Sequence, residues 1–170
     1  MGYRKIINRA KNSVFYAFLL KKVLLISIRA ARRAHIIWVD SAKALVNGLD
    51  IKKEQIPIAV TECDFGKWFY CDGQILLSLF TEHAVKKLNN KHKELHDTYM
   101  KIFKIYFPVR KRSLFAKLIK RKKKITANDE YNSLVYLADL EKISDELISY
   151  LNIIEKKLNT ISEEKFRTLH

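Results

Sequence analysis

The stretch "IRAARRAHIIWVDSAKALVNGL", residues 28–49, holds no proline, and its one glycine waits until position 48. Within it Ile28, Ala31, His35, Trp38, Ala42, Leu45 and Leu49 follow one another at alternating steps of three and four. That spacing keeps side chains on one stripe of an α-helix, the stripe that partner helices cover. The expectation is a helical bundle. The stripe is not purely apolar, however. His35 stands in its middle, where an imidazole left without a partner costs free energy.

Working outward, the chain has 170 residues with four glycines and two prolines, enough for one core and too few turn formers for a sheet protein. The fold class is all-α. No glycine or proline interrupts residues 3–47, so the first helix runs to about Asn47. Residues 48–73, with Pro57 and the Asp64-Phe65-Gly66 turn signal, read as a loop or short helix. A second long helix is expected from Gln74 to Phe107, stopped by Pro108. Its seam passes Leu76, Leu79, Val85, Leu88, His92, Tyr99, Phe103 and Tyr106, with Leu95 and His96 alongside. A third, at 131–161, has Leu137, Leu140, Leu147, Leu151, Ile154, Leu158 and Ile161 as its seam and a net acidic surface.

The apolar run from Val14 to Leu20 is cut short by Lys21 and Lys22, well under the ~20 apolar residues a bilayer span needs. Arg29, Arg32 and Arg33 stand where a signal peptide would place its small-residue cleavage site. What remains is a basic amphipathic helix. The net charge is +15, but residues 1–39 carry nine Lys/Arg with no acid, and residues 110–124 carry nine more with none. The rest of the chain has fifteen basic residues against eighteen acidic ones. Arg110, Lys111, Arg112, Lys120, Arg121, Lys122, Lys123 and Lys124 are therefore candidates for docking on phosphates, an anionic membrane surface or an acidic protein, beside the plain reading of a solvated face. The two cysteines, Cys63 and Cys71, form no disulfide framework, which suits the cytoplasm.

Three of the five histidines, His35, His92 and His96, fall at inward positions of predicted helices, and His92 and His96 lie one turn apart on one face. Three inward imidazoles and one thiol in a turn complete the nitrogen and sulfur set that a tetrahedral zinc accepts. Four protein ligands leave no open position for water, and no nucleophile or general-base constellation stands elsewhere, so an enzyme is not expected.

The motifs "HIIW" at 35–38, "CDFGKW" at 63–68 and "HKELH" at 92–96 together resemble the chemoreceptor zinc-binding (CZB) domains of bacteria. The resemblance implies an antiparallel helix bundle of about four helices, commonly dimeric, with a zinc site between helices and a Cys-bearing turn. The implied ligands are His35, Cys63, His92 and His96. Trp38, Phe65, Gly66 and Trp68 would pack around them, Gly66 by letting the backbone approach closely. Asp40, Asp64, Glu94 or Asp97 could orient a histidine ring, Cys71 reads as a small buried residue or a resolving thiol, and His83 and His170 as ordinary histidines.

The expected organisation is a basic N-terminal helical extension at 1–27, a zinc-binding core at 28–107, a basic linker at 108–127 and a closing helix at 128–170. The expected function is a zinc-binding regulatory module, responding to zinc availability or to oxidation of the bound cysteine. In the family such domains accompany chemoreceptors or diguanylate cyclases; this chain has no room for either output and would signal to a separate partner, as a homodimer. The alternative is a basic protein that binds nucleic acid or anionic membrane and uses zinc only as a structural staple.

Overall fold

Ser13 opens the first helix, its hydroxyl accepting the Tyr16 N–H at 3.0 Å, and helix α1 then runs unbroken over Val14–Val46. The computed structural model describes residues 13–107 and 125–169; among these, all regular structure is helical. Two short helices follow, α2 over Asp64–Phe69 and α3 over Leu76–Leu79, each next to a turn of 3₁₀ helix. The long helices α4, Glu82–Tyr106, and α5, Ala127–Thr160, come next, and α6, Glu163–Leu169, closes the described chain. Thr81 caps α4 through the Ala84 N–H, and Thr126 and Asp129 cap α5 reciprocally.

Cross-helix pairs fix the directions. Along α1 and α5, Lys21 meets Ile161 and Glu163, Arg32 meets Glu155 at 2.7 Å and Lys43 meets Glu141 at 2.8 Å, so the two are antiparallel. Lys91 meets Glu146 and Tyr106 meets Ser133, so α4 is also antiparallel to α5. Helices α1 and α4 consequently run parallel, with Trp38 against His96 and Tyr106 reaching the Val46 carbonyl. The segment between them, residues 47–81, carries the chain back along the bundle and drapes α2 over the gap they leave.

The first helix ends where expected, but Leu49 does not continue its stripe. Gly48 takes φ +85°, a value that favours glycine, and the chain turns away, leaving Leu49 61% exposed. The second long helix begins at Glu82 rather than Gln74. Phe80 is extended at φ −130°, ψ 163°, which ends α3 and frees Thr81 to cap a new helix. The hydrophobic pattern continues across this break because both pieces bury one side. The closing helix ends at Thr160 rather than running on to 170, because Ile161 is extended at φ −74°, ψ 123°, and a separate helix α6 follows; Phe166 on it is fully buried, and Lys21 binds the Ile161 carbonyl and Glu163 where α6 begins. Helix α1 passes residues 27 and 28 without a break, and Ala17, Leu24 and Leu25 before that point are buried. Arg110, Lys111, Arg112, Lys120, Arg121, Lys122, Lys123 and Lys124 lie outside the described residues.

Candidate metal centre

The parallel pair α1 and α4 presents its histidines at one level of the bundle. His35 stands on the inward stripe of α1, and His92 and His96 stand one turn apart on the inward stripe of α4. Cys63 joins them from the segment above, as the residue that caps α2. Its sulfur accepts the Gly66 N–H at 3.2 Å and lies 3.1 Å from Nε2 of His92. One ligand atom from each of His35, Cys63, His92 and His96 lies within 4.8 Å of all the others, and all four residues are buried.

Backbone carbonyls orient two of the rings. Nδ1 of His35 donates to the Ala31 carbonyl at 3.0 Å, and Nδ1 of His96 donates to the Ile58 carbonyl at 2.8 Å. Each bond leaves Nε2 as the lone-pair nitrogen, the tautomer a metal requires. In His96 that Nε2 is buried with no hydrogen-bond partner. Such an orphaned atom is costly in an otherwise apolar core unless something coordinates it. His92 has no carbonyl anchor of this kind; its Nδ1 is buried and unpartnered as well.

Burial keeps the donor set neutral. It lowers His35 to about 4, its bond to Ala31 opposing this only in part, and it lowers His92 to about 2 with help from the neighbouring His96 and His35. His96 is lowered too, by the same desolvation. All three imidazoles thus offer lone pairs near neutral pH. Burial pushes the Cys63 thiol up, with the Gly66 and Phe65 N–H groups pulling the other way. A metal must therefore displace the Cys63 proton to take the sulfur.

The four donors suit zinc by type and by spacing. Tetrahedral zinc at ~2.0–2.1 Å to nitrogen and ~2.3 Å to sulfur places its ligands roughly 3.3–3.6 Å apart, so donors within 4.8 Å need only a modest contraction.

Aromatic rings wall the site. Phe65 is fully buried, its ring centroid 5.1 Å from that of His35 and 4.6 Å from that of His92. Trp38 lies 4.9 Å from the His96 ring, and its indole N–H donates to the Pro57 carbonyl at 3.2 Å. Trp68 packs on Phe65 at 5.7 Å. Gly66 has a stricter role. A Cβ there would sit 1.7 Å from the Val60 carbonyl oxygen, so only glycine lets α2 close over the loop that carries Cys63. A cleft of about 430 Å³ between α1 and this loop reaches His35, Cys63 and His96, with Arg33, Glu62 and Lys67 also on its walls.

The structure thus brings the four expected ligands together and sets Trp38, Phe65, Gly66 and Trp68 around them. It corrects two details. The residues seen to orient rings are the carbonyls of Ala31 and Ile58, not Asp40, Asp64, Glu94 or Asp97; a backbone acceptor leaves no mark in side-chain spacing. Cys71 is exposed, because it stands between α2 and the next 3₁₀ turn, away from the packed stripe. One further residue, which the motifs do not mark, belongs to the wall of the site. Tyr99 packs on Trp38 at 4.7 Å, and its position on the α4 seam one turn beyond His96 was the available signal.

Comparison with known families matches residues 35–103 to the chemoreceptor zinc-binding domain. Curated proteins and solved structures give no match. The matched span begins on His35 and includes Cys63, His92 and His96, the same four residues whose donor atoms converge. On that match and that geometry, residues 35–103 form a chemoreceptor zinc-binding domain.

Proposed function

We propose that this chain is a zinc-binding sensory module, with Cys63 as the ligand whose loss carries the signal. The observation that supports it is the asymmetry of the donor set. His35, His92 and His96 stand on two long helices, whereas Cys63 stands on the irregular connection 47–81, broken into short helical turns, and is held there by α2. Bound zinc would keep the Cys63 sulfur as thiolate and tie α2 to α1 and α4. The protein's part is to hold the three imidazoles neutral and aimed, to shield them with Phe65 and Trp38, and to leave the cleft as the way in.

Two stimuli use the same atom. Falling zinc removes the tie directly. Hydrogen peroxide transfers one hydroxyl to the thiolate sulfur as its O–O bond breaks and leaves as hydroxide, giving a sulfenic acid, a poorer ligand than thiolate. Either event releases α2 with Phe65 and Trp68. The site is non-catalytic in this reading, zinc is the native metal, and the signal passes to a separate cytoplasmic partner of the chemotaxis or cyclic-di-GMP type, through a homodimer.

The test is zinc content, Trp fluorescence and oligomeric state followed together under graded peroxide and graded chelator. Loss of zinc in step with a change in fluorescence supports the reading. Zinc that stays bound until the helices melt would reduce it to a structural staple.

A further inference from the structure

The outward face of the first half of α1 is apolar, where a bundle helix ordinarily turns polar residues to water. From Val14 to Ile26 the exposed residues are Val14, Phe15, Phe18, Leu19, Lys22, Val23 and Ile26, one cation among large apolar side chains. Phe15 is 69%, Val23 58% and Ile26 62% exposed. Steps of three and four set them on one arc of the helix, so they form a continuous stripe rather than scattered singles. The helix cannot roll the stripe inward. Its opposite side is occupied by Ala17, Leu24 and Leu25 in the core and by Lys21, bound to Ile161 and Glu163.

Charge indicates what covers it. Residues 1–39 hold nine Lys/Arg and no acid, four of the cations before position 12. Lys22 lies within the stripe with its ammonium 5.4 Å over the Phe18 ring, and Arg29 and Arg33 continue the exposed face, Arg29 while pairing with Glu155. A second copy seated face to face would set cation against cation. Nucleic acid would answer the cations and leave the apolar side chains in water. An anionic bilayer answers both, with acyl chains for the stripe and headgroups for the lysines and arginines. Among the described residues no helix is long and apolar enough to cross a membrane, so the helix would lie in the surface plane.

We propose that the first half of α1 is an in-plane docking surface for anionic lipid bilayers, seating Val14, Phe15, Phe18, Leu19, Val23 and Ile26 at the acyl boundary with Lys22 among the headgroups. One such stripe gives reversible attachment. This surface is independent of the metal reading, since none of its residues touches the site.

The experiment is sedimentation of the full zinc-loaded chain with vesicles of phosphatidylglycerol and phosphatidylcholine, against pure phosphatidylcholine, at low and high salt. Binding to the anionic vesicles that weakens with salt is expected. The variant Phe15→Ser/Val23→Ser/Ile26→Ser should bind at least about tenfold more weakly with zinc content and oligomeric state unchanged. Lys22→Glu should weaken binding and flatten its salt dependence. The proposal is overturned by absence of binding to anionic vesicles, by a serine variant that binds undiminished, or by retention on DNA in place of vesicles. It is equally overturned if the serine variant loses self-association in solution and keeps its vesicle binding.

Discussion

The two halves of helix α1 have the same backbone and opposite assignments. From Ile28 to Val46 the inward stripe carries polar donors, His35 at the metal centre and Trp38 bonded to Pro57, while the outward side mixes Arg33, Ile37 and Asp40. From Val14 to Ser27 the inward stripe is packing alone apart from Lys21, and the outward side is apolar. One half spends its buried positions on chemistry, the other on holding α6. The lesson is that a helix's exposed face can be as informative as its buried one, and changes in either half should be felt in different measurements.

The largest effects belong to the metal half. Phe65→Ala empties a fully buried ring position against His35 and His92, and a loss of about 3–5 kcal/mol in unfolding free energy is expected, with weaker zinc retention. Equal zinc affinity in this variant would separate the wall from the site. Gly66→Ala drives a methyl into the Val60 carbonyl; about 1–3 kcal/mol is expected to be lost, and metal affinity with it, since the same loop carries Cys63. Chemical denaturation with and without chelator checks both.

The first half predicts the reverse pattern. Lys21→Ala leaves the Ile161 carbonyl and Glu163 without their cation and should cost about 1–3 kcal/mol, chiefly as fraying of α6, with zinc content intact. Hydrogen exchange that rises around Cys63 and His92 instead would join the two halves into one cooperative unit. Smaller still, zinc binding near neutral pH should release about one proton. It comes from Cys63, whose thiol burial pushes up, and not from the histidines, which burial already keeps neutral. Calorimetry in two buffers of different ionisation heat reads the number, and release near zero would mean the thiol is not a ligand.

Side-chain periodicity made the long helices legible, because a buried stripe at steps of three and four has one reading. The ligand set was legible for a related reason: His35, His92 and His96 broke apolar stripes where a polar residue needs justification, and "CDFGKW" supplied the thiol. What stayed hidden depended on the backbone. The break at Phe80 is a change of dihedrals inside a continuous apolar pattern. The anchors of His35 and His96 are carbonyls, which every residue has. Helix α6 is too short for a period to show; its place rests on Phe166 and on Lys21 reaching Ile161 and Glu163.

The most direct measurement is the zinc content of the purified full chain and of Cys63→Ala, His35→Ala and Val23→Ser, taken side by side. One zinc per chain is predicted for the native protein and for Val23→Ser, and close to none for the two ligand variants. A native chain without zinc, or ligand variants that keep it, would contradict the account.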